Sequence, residues 1–65
     1  MKTMEYVVLA TYTENLEHRS SESVLVHGEE QLEAIINEFV NRKLKKLKIQ
    51  IRRLINGIPQ KGWDV

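Results

Sequence analysis

Cysteine is absent from these 65 residues, so neither a disulfide nor a thiolate-ligated metal can brace the fold. The two histidines, His18 and His27, show no HxH or HxxxH spacing, and no metal or other cofactor is expected. Glycine occurs only at 28, 57 and 62, too scattered for a phosphate-cradling loop. Ser20, Ser21 and Ser23 lie near His18 in sequence, but no glycine-rich oxyanion turn accompanies them. The chain is therefore expected not to be an enzyme and to have no small-molecule substrate. The longest apolar run, Tyr6 to Ala10, falls far short of the roughly 20 residues of a membrane span, so no membrane partner is expected. The opening MKTMEYVV lacks a small-residue cleavage site and is interrupted by Glu5, which points away from a secretory leader and towards the cytoplasm.

What remains is a globular composition. Apolar residues make up 42% and charged residues 29%, a balance that can build a core. One domain, residues 1–65, is all that this length allows. A chain of this size buries only about 60% of its unfolded surface, and without disulfides or a metal the economical supplement is oligomerisation. A homo-oligomer, most simply a dimer, is the expectation.

Residues 4–13, MEYVVLATYT, are rich in β-branched and aromatic types and read as a strand. Tyr6, Val8, Ala10 and Tyr12 fall on one face and Val7, Leu9, Thr11 and Thr13 on the other. The polar stretch 14–22 reads as a flexible connection, and 23–27, SVLVH, as a second short strand. Leu32, Ile35, Ile36, Phe39 and Val40 then form one apolar stripe of a helix over about residues 29–43. Gly28 is its expected N-cap, Glu29, Glu30 and Glu33 favour its start, and Arg42 and Lys43 favour its end.

The next segment carries two periods. Leu47, Ile49 and Ile51 alternate with Lys46, Lys48, Gln50 and Arg52 as in a half-buried strand. Leu44, Leu47, Ile51, Leu54 and Ile58 recur at helical spacing, which gives the alternative of a β-hairpin followed by two helices. Ile49 favours the strand, because a helix on that stripe would expose it among lysines. Asn56-Gly57 marks a turn, and Pro59 argues for an irregular tail over 56–65. The expected fold is α+β, a small β-β-α-β domain with a three-stranded antiparallel sheet, order 2-1-3, and one helix packed on one face.

Charge is sharply segregated. Residues 1–41 carry eight glutamates against Lys2 and Arg19, a net −6, whereas residues 42–65 carry eight Lys or Arg against Asp64, a net +7. Such opposed ends favour self-association or a charged partner. Two functions follow as expectations. The first is a non-enzymatic interaction protein that self-associates and binds another macromolecule, with a protein partner favoured over nucleic acid. The alternative is a nucleic-acid-binding regulator using the basic segment 42–53. The candidate binding residues are Lys45, Lys46, Lys48, Arg52 and Arg53, with Tyr6 and Tyr12 as stacking surfaces beside them. Trp63 is a candidate anchor that either packs on the fold or meets a partner. An antiparallel third strand would bring the basic segment near Glu14 and Glu17 at one end and Glu5 at the other, so that opposite charges neutralise one another.

Overall fold

The computed structural model describes residues 4–15 and 18–65. Two long strands, β1 (Glu5–Asn15) and β2 (His18–His27), form an antiparallel hairpin. Helix α1 (Gly28–Asn41) leads to a third long strand, β3 (Lys45–Ile55). Two short strands, β4 (Ile58–Pro59) and β5 (Trp63–Asp64), both pair with β3. The sheet order is β2-β1-β3-β4, with β5 following β4 along the same strand. The 2-1-3 core of the expected sheet is present, but the sheet is wider than three strands. Within β3 the two-residue period prevails: Ile49 and Ile51 are both buried, which a helix could not achieve, so the alternative second helix does not form.

Two departures from expectation stand out. The polar stretch 14–22, expected as a flexible connection, continues the pairing of β1 through Asn15 and of β2 from His18, and the tail is ordered. Asn56 and Gly57 both take positive φ, 52° and 78°, the two-residue turn whose twist matches the strands it joins. The chain therefore turns back along β3, pairing Ile55 with Ile58 and Leu54 with Pro59. Pro59 does not stop this pairing. The N–H of Gln60 donates to the Arg53 carbonyl, so by alternation the position of Pro59 faces outward, where a strand needs no donor. The register slips by one residue between Pro59 and Trp63, which stands opposite Ile51. Gly62 lies in this slip, and a Cβ there would sit 1.9 Å from the Ile51 carbonyl oxygen. Only glycine lets the two backbones approach so closely.

The core lies between the sheet and α1. Tyr6, Val8, Ala10 and Tyr12 of β1 are buried with Val26, Ile49, Ile51, Leu32 and Phe39, and no charged side chain is buried among the described residues. Withdrawing a side chain such as Ile51 from water stabilises by about 1.5–3 kcal/mol. Ile35 and Ile36 pack against this core, while Val40, on the edge of the helical stripe, remains exposed. The helix starts one residue earlier than the sequence suggests: His27 is the N-cap and makes no side-chain cap bond. Instead the His27 N–H donates to the Gln31 side chain at 2.8 Å. Glu29 and Glu30 occupy the first turn, where negative charge is favoured.

The molecule is elongated, 45 × 21 × 15 Å. Its 11-residue strands reach about 36 Å, whereas the 14-residue helix spans only about 21 Å. The helix rides over β1 and β2. One sheet face therefore has no cover, and on the helix side the β3–β4–β5 edge is only partly covered.

Replacing Gly62 by alanine is expected to cost about 1–3 kcal/mol, the usual cost of forcing atoms into a filled space. Denaturant unfolding measures the loss, and emission from Trp63, the only tryptophan, should shift to the red as β5 is pushed off β3. An unchanged midpoint with unchanged emission would contradict the close approach at Gly62.

Candidate interaction surface

Residues directly opposed across an antiparallel pair share a face, so the register fixes what the uncovered side presents. Glu5 stands beside His27 and Leu54, Val7 beside Leu25 and Arg52, and Leu9 beside Ser23 and Gln50. Thr11 then stands beside Ser21 and Lys48, and Thr13 beside Arg19 and Lys45. One end of this face is apolar, built from Val7, Leu9, Leu25 and Leu54. The other is hydroxylated and basic. A shallow depression of about 260 Å³ opens between them, lined by Val7, Leu9, Ser23, Gln50, Arg52 and Pro59.

The electrostatics of the two layers are opposed. Arg19, Lys45, Lys48 and Arg52 are exposed on rows of the open face, where the carboxylates among the described residues are Glu5 and Asp64. Of these, Glu5 lies 3.5 Å from the His27 imidazole, an ion pair whenever that ring is protonated. On α1, Glu29, Glu30, Glu33 and Glu38 are all exposed. The segregation seen along the chain has become a segregation between layers.

The candidate residues are not brought together as one cluster. Lys48 and Arg52 share the open face with Lys45, separated by Gln50 and by an irregularity in β3. Lys46 sits in that irregularity, with φ of 52°. The pairing of β3 carries one extra residue there relative to β1, so Lys46 is not part of the regular row. Arg53 stands opposite Tyr6, on the helix side. Tyr6 and Tyr12 are only 7% and 6% exposed beneath the helix, so they do not lie beside Lys48 or Arg52 as stacking surfaces. Trp63 also belongs to the helix side: its ring meets Tyr6 edge-on at 6.3 Å while remaining 48% exposed. With Phe39 in the core, all four aromatic side chains lie on the side away from the open face.

The expected neutralisation of β3 by glutamates of β1 takes a different form. Glu5 is paired with His27, and Glu14 accepts a hydrogen bond from Ser20 at 2.8 Å. Glu17 lies outside the described residues. A second ion pair joins Glu22 of β2 to Arg42 at the end of α1, at 3.0 Å. The Tyr12 hydroxyl donates to the same carboxylate, and the Arg42 guanidinium lies over the rings of Tyr12 and Phe39 at 5.6 and 5.5 Å. The hydrogen bond from Tyr12, reinforced by Arg42, holds the Glu22 carboxyl below its ordinary pKa. The same hydrogen bond raises the Tyr12 phenol, and Glu22 raises Arg42. This group clamps the end of the helix to the sheet. No local spacing announces it, because Glu22 and Arg42 are twenty residues apart. Arg42 is thereby committed to the fold rather than to a partner.

Among the described residues no three His, Asp or Glu side chains gather as metal ligands, and no helix is long and apolar enough to cross a membrane.

Because the folded Glu22 pKa is depressed, its contribution is complete above the ordinary glutamate pKa and is lost as pH falls through the lower folded value. Thermal melts should show the wild type above Glu22→Gln at neutral pH, with the gap closing on acidification. A gap independent of pH would contradict the clamp. Compared with known proteins, the chain matches no family model, no curated protein and no solved structure.

Proposed function

We propose that this chain is a non-enzymatic interaction protein that binds an acidic, partly apolar surface of another protein through the open face of its sheet, and that it works as a self-associated species. The observation that carries this reading is the arrangement of Val7, Leu9 and Leu25 beside Arg52 and Lys48 on a face without cover. An apolar patch rimmed by charge is the ordinary anatomy of a protein–protein contact. The cations supply steering towards an acidic partner and fix its orientation. The proposed location is the cytoplasm, in keeping with a cysteine-free composition.

Nucleic acid is the weaker reading. Single strands are held by aromatic platforms as well as by cations, and every aromatic side chain here lies on the helix side. The cations of segment 42–53 are also divided among the open face, the helix side and the Glu22 clamp.

An NMR titration with a peptide of alternating Glu and Leu should move the amides of Val7, Leu9, Lys48 and Arg52, and its Lys and Leu counterpart should not. Leu9→Lys and Arg52→Glu should each weaken binding about tenfold, the scale of one residue in a contact centre. Absence of any shift would overturn the proposal. Binding of a single-stranded oligonucleotide that is tighter than that of the peptide and falls steeply with salt would replace it with the nucleic-acid reading.

A further inference from the structure

The two edges of the sheet are built differently. On the β3 side the edge is broken into β4 and β5, with Pro59, a one-residue slip and Gly62 between them. Those are the devices that keep a sheet edge from pairing with another chain. On the other side β2 runs ten residues and, among the described residues, has β1 as its only strand neighbour. It contains no proline, glycine or lysine. Its outer backbone donors and acceptors form a bare ladder.

We infer that β2 pairs antiparallel with β2 of a second copy, on a two-fold axis at Ser23, to form one continuous sheet. This develops the self-association part of the proposed function and does not depend on what the open face binds. The register follows from two requirements. Directly opposed residues must share a face, so each residue must meet one of its own alternation. On β2 the even-numbered residues from Ser20 to Val26 are the more covered, and the odd-numbered ones from Arg19 to His27 lie exposed on the open side. An axis at Glu22 satisfies this but sets two glutamates against each other. An axis at Ser23 sets Glu22 against Val24, Arg19 against His27 and Ser23 against itself. It keeps nine residues of β2 in register and opposes no two glutamates.

The helices fit the same arrangement. Strands lie about 4.8 Å apart, and α1 packs on both β1 and β2, so joining two β2 strands sets the two helices side by side on one face of the continuous sheet. Helices packed side by side lie about 8–10 Å apart, a spacing that about two strand widths accommodate. The two-fold makes those helices antiparallel, so their dipoles oppose. A lone extended peptide at this edge would leave the outer flank of α1 without a neighbour, whereas a second copy supplies one. Charge compatibility at the seam and the helix spacing both select a second copy as the occupant.

Ser23 is exposed, so its substitution leaves the folded chain intact, which circular dichroism checks. Sedimentation at high micromolar concentration should give the wild type a dimer mass. Ser23→Lys and Ser23→Glu should each weaken the dimer about fivefold or more, because each sets like charges opposite one another. A mixture of the two variants should recover dimers of one chain of each kind. Leu9→Lys, on the open face, should dimerise as the wild type does. A monomeric wild type, wild-type dimerisation by both Ser23 variants, or no recovery in the mixture would each overturn the inference. Loss of the dimer in Leu9→Lys alone would overturn it in favour of a seam on the open face. None of these results depends on the peptide titration, so the two readings fail separately.

Discussion

Strand β1 is hydrogen-bonded along its length on both sides, and its two-residue alternation decides what every other element does. Tyr6, Val8, Ala10 and Tyr12 fix the floor of the core, so α1 must lie over them, and Ile49 and Ile51 must face the same way. The opposite row, Val7 and Leu9, is thereby committed to the uncovered side together with Leu25 and Arg52. A slip of one residue in either pairing would exchange these two sets. The irregularities at Glu14 to Asn15 and at Lys46 to Leu47 fall at the far end of β1, where little of the core would be disturbed.

The parts legible in the sequence are those where local pattern and tertiary packing agree. The apolar stripe of α1 is one, and the alternation around Ile49 is another. The tail was not legible because its two signals conflict: Asn56-Gly57 asks for a tight hairpin, while Pro59 suggests that pairing stops. The outward position of Pro59 removes that conflict, but only the register across β3 reveals it. The orientation of β1 was equally hidden. Both of its faces are apolar, so alternation alone does not say which one the helix covers. Placing Tyr6 and Tyr12 beside the lysines assumes the other choice. The clamp of Glu22, Arg42 and Tyr12 joins three separate elements, and nothing in the neighbourhood of any one of them marks the other two.

The charge pattern acquires a different meaning in three dimensions. Along the chain it divides the first 41 residues from the last 24. In the fold the exposed glutamates of α1 form one surface, and Arg19, Lys45, Lys48 and Arg52 lie on the other. A molecule with oppositely charged layers orients in the field of a charged partner before contact, and salt weakens that orientation.

The pairing of Glu5 with Leu54 has a kinetic consequence. Each half of the chain can first make its own hairpin, β1 with β2 and β3 with β4 and β5, through short connections that close within microseconds. The seam between β1 and β3 joins residues 32 to 49 apart, the long-range contacts whose closure costs the most chain entropy. The two hairpins come from halves of charge −6 and +7, with α1 as the link between them. Their attraction acts before any contact is made, so the same segregation that shapes the finished surface also draws the two halves together while the fold is still incomplete.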